Sequence, residues 1–176
     1  MKIFRYSTME TRFGTLWFAA SPKGLSFLLL RFFSQRRALQ ELRKVKGAKL
    51  VRDDKALRRF AAQLGKYLDG QKVSFDVDLD LSLGTPFQQS VWRLTRKIPY
   101  GKLVSYKKLA EQYGNPLCAR AVGNALGANP VPIVIPCHRV IRSDRSLGGY
   151  SGGVKWKKRL IALEQGQKVL NLGGGR

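Results

Sequence analysis

Three short runs rich in aromatic and aliphatic residues open the chain, at positions 3–6, 13–19 and 25–30, and each has the length of a strand. Ser21-Pro22-Lys23-Gly24, between the last two, is a turn sequence of the kind that joins antiparallel strands. The period then changes. Ala38, Leu42 and Val45 recur at helical spacing. Leu57, Phe60, Ala61, Leu64 and Leu68 form a longer apolar stripe that Asp53 or Asp54 can cap and Gly70 can end. Phe75, Val77, Leu79 and Leu81 alternate with Asp76, Asp78 and Asp80, which reads as a half-buried strand or an extended linker. These patterns predict an N-terminal α+β domain over residues 1–83, with a small antiparallel sheet and helices.

From residue 84 the pattern is mostly helical. Thr85-Pro86-Phe87-Gln88 is a capping box with proline at the first helical position, and Phe87, Val91, Leu94 and Ile98 follow on one face. Ile98-Pro99-Tyr100-Gly101 breaks that helix. Ser105 caps a short one containing Leu109 and Ala110, which stops at Gly114. Asn115-Pro116 starts another that runs to about residue 128, where Asn129-Pro130 stops it. Two short helices joined by Gly114-Asn115-Pro116 read as a helix-turn-helix. The second is built from Ala119, Ala121, Gly123, Ala125, Gly127 and Ala128 around one basic residue, Arg120. Such a surface lets the backbone approach a nucleic-acid groove closely while one long side chain penetrates. A tight helix–helix contact with Arg120 in solvent fits the same composition, and both readings stay open here. A last helix is expected over residues 154–164.

Charge narrows the partner. The formal net charge is +22, and the halves differ: 17 basic against 8 acidic residues before position 84, 16 against 3 after it. A carboxylate-poor, strongly basic half attracts polyanions, nucleic acid first among them. No apolar run approaches membrane-spanning length. Residues 1–6 place Lys2 and Arg5 around two apolar residues with no signal-peptide core, so a cytoplasmic protein is expected. Two cysteines and one histidine are too few for a structural zinc site, and little points to a disulfide. Asp76-Val77-Asp78-Leu79-Asp80 lacks the glycine and glutamate of a calcium loop.

The chemistry concentrates at Cys137. Pro130, Pro132 and Pro136 stiffen the segment before it, and its apolar neighbours imply burial, which raises a thiol above its usual pKa of about 8.5. A buried cysteine is usually inert. This one, however, is followed by the only histidine, His138, which can accept the thiol proton directly or through water, and by Arg139, which can favour an anion. Glu164 falls at the C-terminal end of the last expected helix, where a carboxylate opposes the helix dipole. As one of three acids in this half it is a candidate partner for His138, completing a Cys–His–Glu triad. A solvated glutamate at a helix end is the alternative.

Ile135-Pro136-Cys137-His138-Arg139-Val140 resembles the active-site motif of the O6-alkylguanine-DNA alkyltransferases. Gly84-Thr85-Pro86-Phe87-Gln88, Val91-Trp92, Ile98-Pro99-Tyr100-Gly101, Ser105-Tyr106, Leu109-Ala110, Gly114-Asn115-Pro116, Ala119-Arg120-Ala121-Val122-Gly123, Asn129-Pro130, Gly149-Tyr150-Ser151-Gly152-Gly153 and Leu163-Glu164 follow in that family's order, over residues 84–166. The N-terminal half fits only in outline.

The resemblance implies an RNase H-like outline for residues 1–83 and a mostly helical winged helix-turn-helix domain for 84–176, flexible from about 166. It implies a single-use repair protein that enters the minor groove of double-stranded DNA, extrudes O6-alkylguanine and moves the alkyl group irreversibly to Cys137. His138 acts there as a water-mediated base, Glu164 supports it, and Asn129 shapes the preceding turn. Tyr106 hydrogen-bonds the guanine and reaches the phosphate, the Ser151 backbone meets the oxygen, and the Val140 and Cys137 carbonyls meet the exocyclic amine. Pro132, Tyr150 and Trp92 shape the pocket. Lys107, Asn115 and Ser143 match positions near the DNA backbone, while Ala119 and Gly123 pack against the groove and Arg120 fills the gap in the stack. No cofactor and no metal are implied, since the zinc ligands of some relatives' N-terminal domains are missing. The protein is expected as a monomer, with cooperative binding on DNA left open. A non-catalytic DNA binder and a Cys-His hydrolase are the competing readings.

Overall fold

The computed structural model describes residues 2–30, 35–43, 45 and 47–167. The three apolar runs form strands β1 (Lys2–Thr11), β2 (Gly14–Ser21) and β3 (Gly24–Leu29), paired antiparallel in sequence order. Helix α1 (Gln35–Arg43) follows, with Ala38 and Leu42 buried and Val45 lying past its end. A fourth strand, β4 (Ala48–Arg52), adds to the other edge of β1 and runs parallel to it, giving the order β3-β2-β1-β4. The expected antiparallel sheet is therefore corrected at this edge. β3 points the same way as β1, and α1 carries the chain back, so the strand after this crossover enters parallel. With Lys49 and Arg52 among its five residues, β4 gave no apolar run to read.

Helix α2 (Asp54–Leu68) buries Leu57, Phe60, Leu64, Tyr67 and Leu68. Of the two candidate caps, Asp53 does the work, accepting from Ala56 N at 2.9 Å. Asp54 instead accepts from the Ser7 hydroxyl at 2.6 Å and fixes the helix to β1. The alternating segment after α2 is a linker held to the start of β3: Leu25 N donates to Asp78 O (2.8 Å) and Asp80 N to Leu25 O (3.0 Å). Further along the same edge, Leu28 N donates to Pro130 O at 2.8 Å. Those contacts cover part of an edge that would otherwise be open to strand addition.

The second half comprises α3 (Pro86–Arg96), β5 (Val104–Ser105), α4 (Tyr106–Tyr113), α5 (Ala119–Gly127), β6 (Val140–Ile141) and α6 (Val154–Glu164). The capping box at Thr85 and Gln88 is formed in both directions. Ser105 caps α4, and Gly114, at φ +98°, ends it. The second helix of the helix-turn-helix starts as a 3-10 turn, Pro116–Cys118, capped by Asn115, before α5 proper. A two-residue parallel ladder, Val104 with Val140 and Ser105 with Ile141, sets the start of α4 beside the Cys137 turn. Trp92 Nε1 donates to Ala125 O at 2.8 Å and fastens α3 to α5. Buried residues of both halves form one continuous core.

The flexible tail was expected from about 166, but Gly166 N and Gln167 N still close α6 by donating to Leu163 O and Ala162 O. The rest of that expectation, residues 168–176, lies outside the described residues. Among the described residues no helix is long and apolar enough to cross a membrane.

Two glycines give opposite predictions. A Cβ on Gly24, at φ +138°, would lie 2.4 Å from Asp78 O, a backbone atom with no room to move. Gly24→Ala should therefore destabilise the fold by about 2–3 kcal/mol. Gly65 lies inside α2 with open space around the same position, so Gly65→Ala should stabilise by about 0.5–1 kcal/mol. Denaturant unfolding of both variants checks the pair of signs.

Candidate active site

The segment that presents Cys137 is closed on itself by one side chain. Asn129 Oδ1 accepts from Val131 N at 3.0 Å, and its Nδ2 donates to Ile135 O at 2.8 Å. Ile135 N donates to Val131 O at 2.9 Å, so the loop is tied at both ends. Between them Ile133 sits at φ +74° and is 1% exposed. A β-branched residue in that region is strained, and only surrounding packing holds it there. The turn then enters a 3-10 helix over Cys137–Arg139.

Cys137 Sγ is buried and accepts from Asn129 Nδ2 at 3.0 Å. Burial pushes the thiol up, while the Asn129 hydrogen bond, the Lys157 charge and the Tyr150 hydroxyl pull it back only in part. The cation acting on the thiol is thus Lys157 rather than Arg139, the neighbour expected in that role. Lys157 has no exposed surface. Its Nζ donates to Val140 O at 2.6 Å and to Leu147 O, and lies 3.4 Å from the Tyr106 hydroxyl. Burial brings its pKa down to about 8.

Arg139 is occupied elsewhere. Its Nε and Nη2 donate to Glu164 Oε2 (2.9 Å) and Oε1 (2.8 Å), and Nη1 donates to Ile98 O. Glu164 is the centre of this cluster. Oε1 also accepts from the Tyr67 hydroxyl (2.6 Å) and from His138 Nε2 (2.8 Å), and Oε2 from Gly101 N (2.9 Å). Burial alone would raise this carboxyl; the hydrogen bonds from His138, Arg139 and Tyr67 overcome that and hold it far below the usual range. The solvated-glutamate alternative does not describe it.

His138 is wholly buried. Burial lowers its pKa, Glu164 opposes that, and Arg139 and Lys157 add to it, leaving the ring neutral. With a carboxylate on the Nε2 side, the ring proton belongs there. Nδ1 is buried and has no hydrogen-bond partner among the described residues, so it carries a free lone pair.

Cys137 forms part of the wall of a cavity of about 640 Å³ lined also by Tyr106, Ala119, Arg120, Gly123, Tyr150 and Ser151. Seven residues chosen from sequence thus meet around one space. Arg142, Gly148 and Leu126 line it too and were not anticipated, and Gly127 and Gly149, named above only as parts of longer patterns, join them. At Gly148, φ +65°, a Cβ would sit 3.2 Å from the Tyr106 hydroxyl, a close approach that could have been read from Gly148-Gly149. Pro132 is buried and faces a neighbouring groove of about 440 Å³ that shares Gly127 and Ser151. Val140 is buried behind the cavity, its carbonyl engaged by Lys157. Lys107, Asn115 and Ser143 are exposed and do not line the cavity. Trp92 is a core residue tying α3 to α5 rather than part of the cavity wall. Tyr67 and Lys157 are the main omissions: a tyrosine on one helix stripe and a lysine in a basic helix carry no local sign of burial. Cys118 and Cys137 are both free. No cluster of metal-ligating side chains occurs among the described residues.

The buried carboxylate makes stability pH-dependent. Its folded value lies below the unfolded one of about 4.3, so its contribution is complete above that pH and drains away as pH falls below it. Glu164→Gln should cost about 3–5 kcal/mol at pH 7, because Arg139 is left buried without a counter-ion. The variant should also lose less stability than wild type between pH 5 and pH 3. Unfolding curves with the same pH slope for both proteins would contradict this account of Glu164.

Known proteins resemble this chain over both of its halves. The family model described as the DNA-binding domain of 6-O-methylguanine DNA methyltransferase matches residues 86–166, and that of its ribonuclease-like domain matches residues 4–81. The inducible methylated-DNA–protein-cysteine methyltransferase of Bacillus subtilis is 40% identical over 154 residues, 85% of this chain and 83% of that protein. The corresponding Mycobacterium bovis protein is 38% identical over 170 residues, 97% of this chain and 98% of its own. The crystal structure of Mycobacterium tuberculosis OGT in complex with DNA superposes with a TM-score of 0.76 at 37% identity, covering 93% of each chain. Shared sequence over nearly the whole length, in both domains and in the fold, places this chain in the methylated-DNA–protein-cysteine methyltransferase family.

Proposed function

We propose that this protein repairs O6-alkylguanine in double-stranded DNA by transferring the alkyl group, once and irreversibly, to Cys137 Sγ. The observation that carries the reading is a buried thiol in a cavity wall, hydrogen-bonded to Asn129 and followed by a histidine held by a buried glutamate. A bond forms between sulfur and the alkyl carbon as the bond from that carbon to guanine O6 breaks. The guanine departs with the electron pair, and the thiol proton is taken by His138 Nδ1 through a water. Glu164 then faces an imidazolium, whose charge it stabilises. Lys157 favours the sulfur anion, and Asn129 donates to it. No cofactor or metal enters this scheme.

The same reading assigns the cavity wall. Tyr106 hydrogen-bonds the guanine from the start of α4, with Lys157 behind its hydroxyl. The Ser151 backbone meets O6, and the Val140 and Cys137 carbonyls accept from the exocyclic amine; Val140 O can serve both the amine and Lys157, since a carbonyl has two lone pairs. Tyr150 and Pro132 bound the alkyl group. Residues 84–176 form the DNA-binding and reacting domain, and 1–83 its support. α5 enters the minor groove, where Ala119 and Gly123 permit close approach, while Arg120 stands in for the extruded nucleotide. Lys107, Asn115 and Ser143, all exposed, hold the DNA backbone. The protein acts as a monomer in the cytoplasm.

Intact-mass measurement after incubation with an oligonucleotide duplex carrying O6-methylguanine tests the reaction. One added methyl on the wild type and none on Cys137→Ala is the expected result. Binding without any mass change would favour a lesion sensor, and neither binding nor mass change would favour a hydrolase of the Cys-His type. For Arg120→Ala, transfer from duplex DNA should fall about 10–100-fold while transfer from the free alkylated base changes less than about twofold, since only the duplex requires extrusion. Equal losses on both substrates would remove Arg120 from that role.

A further inference from the structure

Tyr67 belongs to α2, in the half of the chain that precedes the reacting domain, yet its hydroxyl ends inside the relay. The side chain is fully buried. Its ring stands edge-on to Tyr100 at 6.1 Å and tilted against Phe75 at 5.7 Å. The hydroxyl donates to Glu164 Oε1 at 2.6 Å, and its oxygen lies 3.3 Å from His138 Nε2. We propose that Tyr67 is a positioning residue for alkyl transfer, which keeps His138 neutral with its proton on Nε2 and its Nδ1 lone pair free.

What each group can donate sets the tautomer. A carboxylate only accepts, so the phenol proton is committed to Glu164, and only lone pairs of the tyrosine oxygen face His138. Burial and then the Glu164 charge push the Tyr67 hydroxyl well above the usual phenol range, so it stays protonated. The other groups acting on the ring are Arg139 and Lys157, both donors, and neither can accept the Nε2 proton. Nε2 therefore shares its proton between Glu164 Oε1 and the tyrosine oxygen, and the alternative tautomer has no acceptor to support it.

A second consequence concerns basicity. The Tyr67 hydrogen bond draws charge from Oε1, the same oxygen that attracts the Nε2 proton. Without it Glu164 pulls harder on the imidazole and makes it easier to protonate at Nδ1. A histidine already cationic before substrate arrives cannot take the thiol proton. Tyr67 thus gives the first half of the chain a direct part in thiol activation.

The chain contains a single histidine, which makes the test unambiguous. Protein labelled with 15N-histidine reports the protonation of both ring nitrogens across pH 5 to 8.5 without any assignment by mutation. The expected wild-type spectrum is one neutral tautomer, Nε2 protonated and Nδ1 bare. Tyr67→Phe, which keeps the ring between Phe75 and Tyr100, should move the His138 titration upward by about one pH unit. Its single-turnover methyl transfer should slow progressively as pH falls toward 5, by no more than the tenfold that one pH unit allows, and match the wild-type rate at pH 8.5, with DNA affinity unchanged. A variant that only lowers the melting temperature, with the titration and pH profile in place, would overturn the proposal. Should Tyr67→Phe fail to fold, the wild-type spectrum still decides, because a proton on Nδ1 in the resting protein contradicts it. The inference takes its purpose from alkyl transfer, but the outcomes separate. Wild type without methyl transfer refutes the reaction, whereas transfer with an unshifted Tyr67→Phe titration refutes only the role of Tyr67.

Discussion

Burying an ionised carboxylate is among the most expensive things a fold of this size can do, with a penalty of several kcal/mol unless donors surround it. Glu164 is buried, and it accepts five hydrogen bonds from three other parts of the chain. Tyr67 comes from α2, Gly101 N from the turn after α3, and His138 and Arg139 from the turn that carries the thiol, while the acid itself ends α6. Arg139 reaches on to Ile98 O, which brings the end of α3 into the same cluster. None of these contacts is local in sequence. The carboxylate therefore acts as the point at which separate elements must agree in position before any of them is satisfied.

That arrangement sets the character of the thiol. Arg139 neutralises Glu164, so the acid is free to hold His138 without itself becoming a base. His138 stays neutral because it is buried between a compensated anion and the cationic Lys157. Cys137 stays protonated because it too is buried. On the proposed reaction, the resting site holds no free thiolate and is protected from casual oxidation. A thiolate forms only as proton, alkyl carbon and leaving oxygen are brought together. Lys157, with its carbonyl partners already fixed, is the charge waiting for that moment.

The sequence made much of this legible because its strongest signals were stereochemical. Thr85 and Gln88 at capping-box spacing, Ser105 and Gly114 at the two ends of α4, and Asn129-Pro130 after α5 each mark a chain position whose backbone has few alternatives. Cys137, His138 and Glu164 were readable because each was scarce. What escaped notice depended on tertiary context. β4 is five residues long and carries two cations, so only its pairing with β1 makes it a strand. The ladder between Val104–Ser105 and Val140–Ile141 is too short to leave a pattern. Lys157 reads as one more surface cation among Lys155, Lys158 and Arg159, although the fold buries it completely. Arg139 was placed near the thiol because it is near in sequence, and the larger demand of a buried Glu164 claimed it instead.

The division of the chain into a reacting half and a supporting half looks different once the relay is followed across it. If the first half served only as a platform, its contacts with the second would be apolar and tolerant. Some are, but two are directional and specific. Leu28 N binds Pro130 O beside the loop that Asn129 closes, and the Tyr67 hydroxyl binds the Glu164 carboxylate. Hydrogen bonds of this kind tolerate little displacement before they fail. A shift of α2 by even one ångström would leave the buried Glu164 short of a donor. On the proposed reaction, the two halves are thereby held in one register by the requirement that also prepares the thiol, and domain docking and reactivity are coupled.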